Sequence, residues 1–269
     1  MAINERLIDT EVAAAANGDG AASAEQGLIL HLDANDVDSY DGDGDIWYDI
    51  SEHDVTIPLS DNADDLELHL NASDSTSYGG SGTTWTDLSG NSNNGTISSG
   101  IVYDIDNGGY FDLERSSSHN ITVSDSSSLD ITTNITLEAW INEESVANYG
   151  RLFWKSGAYA LYRGTNGWTF LLGSTSLVHN SGIPSTGTWY HIAATYDGSN
   201  QKLYINGVLV DTESMTGSIP TNNNSLFIGG DTTDRYFDGK IGAAKIYSKA
   251  LTASELLADY NATKSTFGL

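Results

Sequence analysis

Lys202-Leu-Tyr-Ile-Asn-Gly-Val-Leu-Val210 is the stretch that decides the fold. Two runs of strand formers flank Asn206-Gly207, and both turn residues tolerate the positive φ of a two-residue type I′ hairpin. Outward from this hairpin the same grammar recurs. Trp189-Tyr-His-Ile-Ala-Ala-Thr-Tyr196 reads as a strand closed by Asp197-Gly198. Ile135, Leu137, Ala139 and Ile141 alternate with Thr136, Glu138 and Trp140, the period of a two-faced strand. Leu226-Phe-Ile228 and Lys240-Ile-Gly-Ala-Ala-Lys-Ile-Tyr247 complete the late strands. Helical periodicity is nearly absent until Thr252-Ala-Ser-Glu255, a capping box that predicts one short helix with Leu256, Leu257 and Tyr260 packed inward. The class is all-β.

The chain has 269 residues and a formal net charge of −26. Residues 1–65 hold 17 of the 37 acids and one base, Arg6, so that stretch carries −16 and the remainder −10. Such a surface repels phosphate, which excludes nucleic acid and anionic membrane as partners and favours divalent cations. No cysteine is present, so disulfides and thiolate metal sites are excluded. Met1 to Gly20 has no basic start and only a short alanine run, which predicts no export signal. No apolar stretch approaches a membrane span, so no membrane insertion is expected.

Residues 1–26 read as a separate arm and linker, with Ile3, Leu7, Ile8 and Val12 on one apolar stripe. An internal repeat follows. Leu28-Ile-Leu-His-Leu-Asp-Ala-Asn-Asp-Val-Asp-Ser-Tyr40 aligns without a gap on Leu66-Glu-Leu-His-Leu-Asn-Ala-Ser-Asp-Ser-Thr-Ser-Tyr78. The match continues through Gly42/Gly80, Gly44/Gly82, Trp47/Trp85, Asp49/Asp87 and Ser51/Ser89. Further copies are absent, so this is a duplicated opening segment and not a solenoid. The expected organisation is an arm over 1–26, a partial duplicate over 27–62 that serves assembly, and a sandwich over 63–269. The duplicate either adds a strand pair to the sheet or covers the equivalent edge of a neighbour.

Five motifs then come in order: Asn134-Ile-Thr-Leu-Glu-Ala-Trp-Ile141, Trp189 to Gly198, Leu203-Tyr-Ile-Asn-Gly-Val208, Leu226-Phe-Ile-Gly-Gly230 and Phe237 to Thr252. Together with Trp85 to Ile97 and Gly108-Gly-Tyr-Phe111, they resemble the laminin-G-like branch of the concanavalin A-like lectin/glucanase superfamily. The resemblance implies an antiparallel jelly-roll β-sandwich with one short C-terminal helix behind an extended N-terminal arm. Met1 to Thr10 and Gly27 to Asp36 are similar to N-termini of marine phage structural proteins. A display-type sandwich without an export signal fits that setting. The expected location is therefore the virion, assembled in the host cytoplasm, with residues 1–62 bound to other virion proteins and a homo-oligomer formed. The other expected setting is extracellular or at a cell surface.

Glucanases of this superfamily carry closely spaced carboxylates as acid and nucleophile. Glu138 stands alone in its strand, and Glu143 and Glu144 are adjacent, so no catalytic residues are assigned and no enzyme is expected. Calcium is the more serious chemistry. Asp41, Asp43, Asp45, Asp49 and Glu52 fall at ligand positions of an EF-type loop, although Ile46 occupies the glycine position. A solvated acidic hairpin and a Ca²⁺ loop both remain open. The resemblance implies a rim Ca²⁺ site on the segments that hold Asp87 and Asn91, and Asp231, Asp234 and Asp238. The acid many relatives carry after the Gly-x-Ile step is replaced by Gly242 and Ala243. Carbohydrate is the expected ligand class, because sugars stack their C–H faces on exposed rings beside polar groups. The candidates are Trp154, Tyr159, Tyr162, Asn166, Trp168 and Tyr236; Trp140 and Trp189 are expected to pack in or against the sandwich.

Overall fold

A computed structural model describes residues 46–48, 56–58, 63–146, 149–164 and 167–269. The chain divides into two compact units, Met1–Asp61 and Asn62–Leu269. In the first, β1 (Ile46–Tyr48) pairs antiparallel with β2 (Thr56–Pro58).

The second unit contains β3 (Leu66–Asn71), β4 (Thr84–Trp85), β5 (Gly95–Ile97), β6 (Val102–Asp104), β7 (Tyr110–Leu113), β8 (Ile121–Val123) and β9 (Ile135–Glu143). It continues with β10 (Gly150–Lys155), β11 (Tyr159–Arg163), β12 (Trp168–Leu172), β13 (Thr175–His179), β14 (Trp189–Tyr196) and β15 (Asn200–Ile205). The last strands are β16 (Val208–Ser214), β17 (Leu226–Ile228) and β18 (Gly239–Tyr247), before helix α1 (Ala253–Thr263). Two antiparallel sheets result. The first runs β13-β12-β11-β10-β17-β8-β5-β4, and the second β16-β15-β14-β9-β18-β7-β6, with β3 also on β18. Among the described residues no helix is long and apolar enough to cross a membrane.

The hairpin that decided the class is present as read. β15 and β16 pair, and Asn206 and Gly207 adopt φ of 53° and 75°. The period-two pattern places Ile135, Leu137, Ala139 and Ile141 of β9, with Tyr190, Ile192, Ala194 and Tyr196 of β14, in the core between the sheets. The alternate residues Thr136, Glu138 and Trp140 take the opposite face, as the two-faced pattern predicts, and are buried there as well. Trp140 and Trp189 form a second apolar cluster with Tyr110, Ala243 and Phe267 on the outer face. Ala193, Tyr204, Tyr247, Leu251 and Leu256 form a third.

That outer face is covered by α1 and the short 3₁₀ turn Lys264–Phe267. The Thr252 side chain accepts from the Glu255 N–H, while Glu255 accepts from the Thr252 N–H, closing the predicted capping box. Leu256 is buried beneath the helix, whereas Leu257 is exposed, so the inward assignment fails for Leu257. One residue along a helix is a turn of about 100°, enough to leave the buried stripe.

Candidate functional site

Among the described residues no helix covers the outer face of the other sheet, which carries aromatic side chains. A register shift between Arg151 and Phe153 lets Leu152 and Phe153 both enter the core, leaving Arg151 and Trp154 on the outside. A cross-strand row then runs Thr96, Thr122, Phe227, Trp154, Ala160 and Leu171. Ala160 beside Trp154 leaves the indole room, and Phe227 extends it as a partly exposed ring.

Arg151 locks this surface. Its guanidinium carbon lies 3.7 Å from the Trp154 ring centre and 4.4 Å from that of Tyr162. The same side chain meets Asp231 at 3.5 Å and is almost fully buried. Burial, then the charge of Arg235, lowers its proton affinity, while Asp231 opposes this. Tyr149, 46% exposed, lies 6.2 Å from Tyr162 and 5.6 Å from the Arg235 guanidinium. Tyr236 joins the group through the bridge that pairs it with Arg151. Its ring lies on Gly230, where any Cβ would approach it to 2.5 Å. Tyr236 also walls an open groove of about 510 Å³ with Glu114, Arg115, Ser116, Ser118, Asp234 and Asp238.

The structure brings Trp154, Tyr162 and Tyr236 to one side of one sheet and separates the other candidates. Tyr159 and Trp168 are core residues, which corrects their assignment to a sugar surface. The Tyr159 hydroxyl donates to the Leu129 carbonyl at 3.2 Å, and the Trp168 indole N–H donates to the Tyr190 hydroxyl at 3.1 Å. Both stand one position out of phase with the outward row, so their rings face the opposite sheet. Asn166, Asp41, Asp43 and Asp45 lie outside the described residues. The sequence alone hid Arg151, Tyr149 and Phe227, whose role comes from a bulge and from long-range neighbours.

The rim acids have other duties. Asp87 accepts the N–H groups of His69, Ser89 and Asn93 at 2.8, 3.0 and 2.9 Å and the Ser89 hydroxyl at 2.7 Å. These hydrogen bonds tie Asp87 to β3 and to the loop that follows it in sequence. Asn91 donates its amide to the Leu66 carbonyl and to Glu67. Asp231 accepts from Thr233, whose hydrogen bonds outweigh burial and hold its carboxyl below the usual range. Asp238 accepts from the Arg115 N–H and the Ser145 hydroxyl. Asp234 is exposed on the groove. Another acidic trio, Asp112, Glu114 and Glu144, has one oxygen each within 4.8 Å of the others. Lys240 pairs with Glu144 at 3.2 Å there, and burial, then the Glu144 charge, raises the Asp112 carboxyl.

Glu138 has a second carboxylate near it after all. Glu138 and Asp259 converge on the Lys245 ammonium at 2.9 and 2.8 Å. The pair lies beneath α1 in a pocket of about 50 Å³ that His69 and His191 also line. Burial opposes ionisation of Glu138, but Lys245 and His191 overcome it and hold the carboxyl well below its usual range. Burial, then the Glu138 charge, pushes Asp259 up to about 6. The Lys245 ammonium occupies the space between these carboxylates. The cluster fastens the helix to the sheet.

Residues 115–257, just over half of the chain, match Laminin_G_3, described as concanavalin A-like lectin/glucanases superfamily. Among curated proteins, pappalysin-1 of Mus musculus is 37% identical over 86 residues, 30% of this chain and 5% of that protein. Pappalysin-1 of Homo sapiens is 35% identical over 91 residues, so the chain spans only about a twentieth of these relatives. Among solved structures, the binding domain of Paraclostridial Mosquitocidal Protein 1 gives a TM-score of 0.60 at 18% identity, covering 75% of this chain and 53% of that one. Domain 4 of AbnA, a GH43 extracellular arabinanase from Geobacillus stearothermophilus in complex with arabinotriose, gives 0.59 at 23% identity, covering 72% and 97%. The binding domain of botulinum neurotoxin serotype G gives 0.58 at 20% identity, covering 74% and 51%. At these identities the structural likeness speaks for the fold. With its two-sheet sandwich and the match over residues 115–257, the chain belongs to the Laminin_G_3 family of the concanavalin A-like lectin/glucanases superfamily.

Proposed function

We propose that the sandwich is a non-enzymatic glycan-binding module and that Trp154 is its stacking platform. The observation that carries this reading is the Trp154–Arg151–Tyr162 stack on the outer sheet face over which no helix lies among the described residues. A ring held flat and partly exposed suits the C–H face of a pyranose or furanose, since little side-chain freedom is lost on binding. The neighbouring groove supplies Glu114, Asp234 and Asp238, which accept hydrogen bonds from sugar hydroxyls. These carboxylates and the acidic surface disfavour uronates and sulfated sugars, so neutral glycans are the ligand class. A solved neighbour, domain 4 of AbnA, was captured with arabinotriose, which supports the same class. Ca²⁺ enters the reading only as a rim ion near Asp112, Glu114 and Glu144; retention that survives chelation removes it. A glycan array probed with the full chain tests the proposal, and no neutral-glycan signal above that of Trp154→Ala ends it.

The setting we propose is a phage virion, in capsid decoration or an appendage, with residues 1–62 assembling and the sandwich displayed. The arm's similarity to marine phage N-termini supports this. Mass spectrometry of purified particles tests it, and absence of the protein from them removes it. The second reading is a bacterial carbohydrate-binding module, favoured by the same AbnA neighbour.

A further inference from the structure

The duplicated opening segment repeats structure as well as sequence. In β1–β2 the paired residues are Ile46 with Pro58 and Trp47 with Ile57. In β4–β5 they are Thr84 with Thr96 and Trp85 with Gly95. The 38-residue offset of the repeat converts these two pairs into the two of β4–β5, and the third pair of the first hairpin, Tyr48 with Thr56, has no counterpart there. The duplication therefore reaches past Ser51, where the sequence identities fade.

In the sandwich the second copy shows what each part is for. Leu68 and Leu70 of β3 enter the core, and one edge of β3 pairs with β18. The other edge is closed from within the copy: Asp87 accepts the His69 N–H, the Ser77 hydroxyl oxygen accepts the Asn71 N–H, and Leu88 donates to the His69 carbonyl. Leu30, Leu32, Ser39 and Asp49 stand at the equivalent positions of the first copy. The first copy thus carries the same residue types in sequence, while among the described residues of the Met1–Asp61 unit β1 and β2 pair only with each other. Nor does it fit the place its twin occupies. Ile57 and Pro58 replace Gly95 and Thr96, where a Cβ on Gly95 would lie 2.7 Å from the Ile121 side chain, and proline has no N–H for the ladder.

The sandwich has a matching open edge. Among the described residues β16 ends its sheet, and its first residues, Val208 and Leu209, are 60% and 46% exposed. Leu257 of α1, itself exposed, packs beside the turn at Gly207 and extends this apolar patch. Farther along, the edge is shielded where Asp211 meets His179 of β13 at 3.1 Å. Natural sheet edges are ordinarily blunted by charge, so an apolar, unpaired edge invites strand addition.

We infer that Leu28–Asp33 of one molecule adds as a strand to the Val208–Val210 edge of a second molecule, joining copies head to tail. The inference deepens the assembly half of the proposed function and is independent of its glycan half. A head-to-tail contact uses two different surfaces, so either one can be disabled alone. The experiment is sedimentation velocity on the full chain at micromolar concentration, with Leu30→Asp and Leu209→Lys as separate variants. The wild type sediments as an oligomer, and each variant falls to the single-chain mass of 28.7 kDa with the sandwich's thermal unfolding unchanged. An equimolar mixture of the two variants recovers a dimer and nothing larger, because it contains one intact strand and one intact edge. A wild-type monomer overturns the inference together with self-assembly. Oligomeric wild type with a variant that keeps its mass, or a mixture that stays monomeric, overturns this contact alone.

Discussion

The guanidinium carbon of Arg151 lies 3.7 Å from the centre of the Trp154 ring, so a partly exposed ring of the outer sheet face is held by a buried cation. Trp154→Ala is expected to weaken neutral-glycan retention by roughly tenfold or more, about 1.4 kcal/mol. Arg151→Met removes a contact worth about 0.5–2 kcal/mol and frees the ring, giving a smaller loss. Affinity electrophoresis in a neutral polysaccharide gel compares the two. Equal migration of wild type and Trp154→Ala would refute the platform.

Gly230 sets the position of Tyr236. A Cβ there would come within 2.5 Å of the ring, which is partly exposed and free to swing toward solvent. Gly230→Ala should therefore reduce glycan affinity while the urea midpoint of unfolding stays nearly constant. A stability loss as large as that of a core substitution would show that Tyr236 is structural.

Lys155 is a fully buried cation whose ammonium meets Asp125, Asp130 at 3.6 Å and the Asn224 carbonyl at 2.9 Å. Removing one side of such a group leaves the acids without a counter-charge. Lys155→Ala is expected to cost about 3–5 kcal/mol. Chemical denaturation measures it, and a loss under 1 kcal/mol would place the charge in contact with water.

His69 gives the sandwich a pH dependence that the sequence did not announce. Burial, then the nearby Lys245 charge, lowers its pKa from 6.5 to about 4. Between those values the folded protein keeps the ring neutral while the unfolded chain protonates it. Its contribution is intact above pH 6.5 and is lost as pH falls toward 4, by about 1–3 kcal/mol. Asp259 works in the opposite direction: its raised pKa favours the folded state below 3.8, and that advantage disappears as pH rises through about 6. The His69→Gln variant isolates the first effect. Its stability relative to wild type should improve as pH falls from 6.5 to 4, and parallel curves over that range would discount His69.

The sequence by itself determined the strands, the Asn206–Gly207 turn, the capped helix and the repeat, because alternation, turn chemistry and caps act over a few neighbouring residues. It also placed Trp140 and Trp189 against the sandwich. It could not sort the remaining rings. Tyr159 and Trp168 face the core while Trp154 and Tyr162 face outward, and that choice follows from a one-residue shift in β10 and from strand phase. The tertiary structure alone decided that α1 packs on the outer face of one sheet and not on the other, and that Asp259 reaches the lone Glu138. It also tied Asp87 to the edge of β3. Each of these depends on residues far apart in the chain meeting in a packed interior, where every polar group must find a partner and only certain side chains fit.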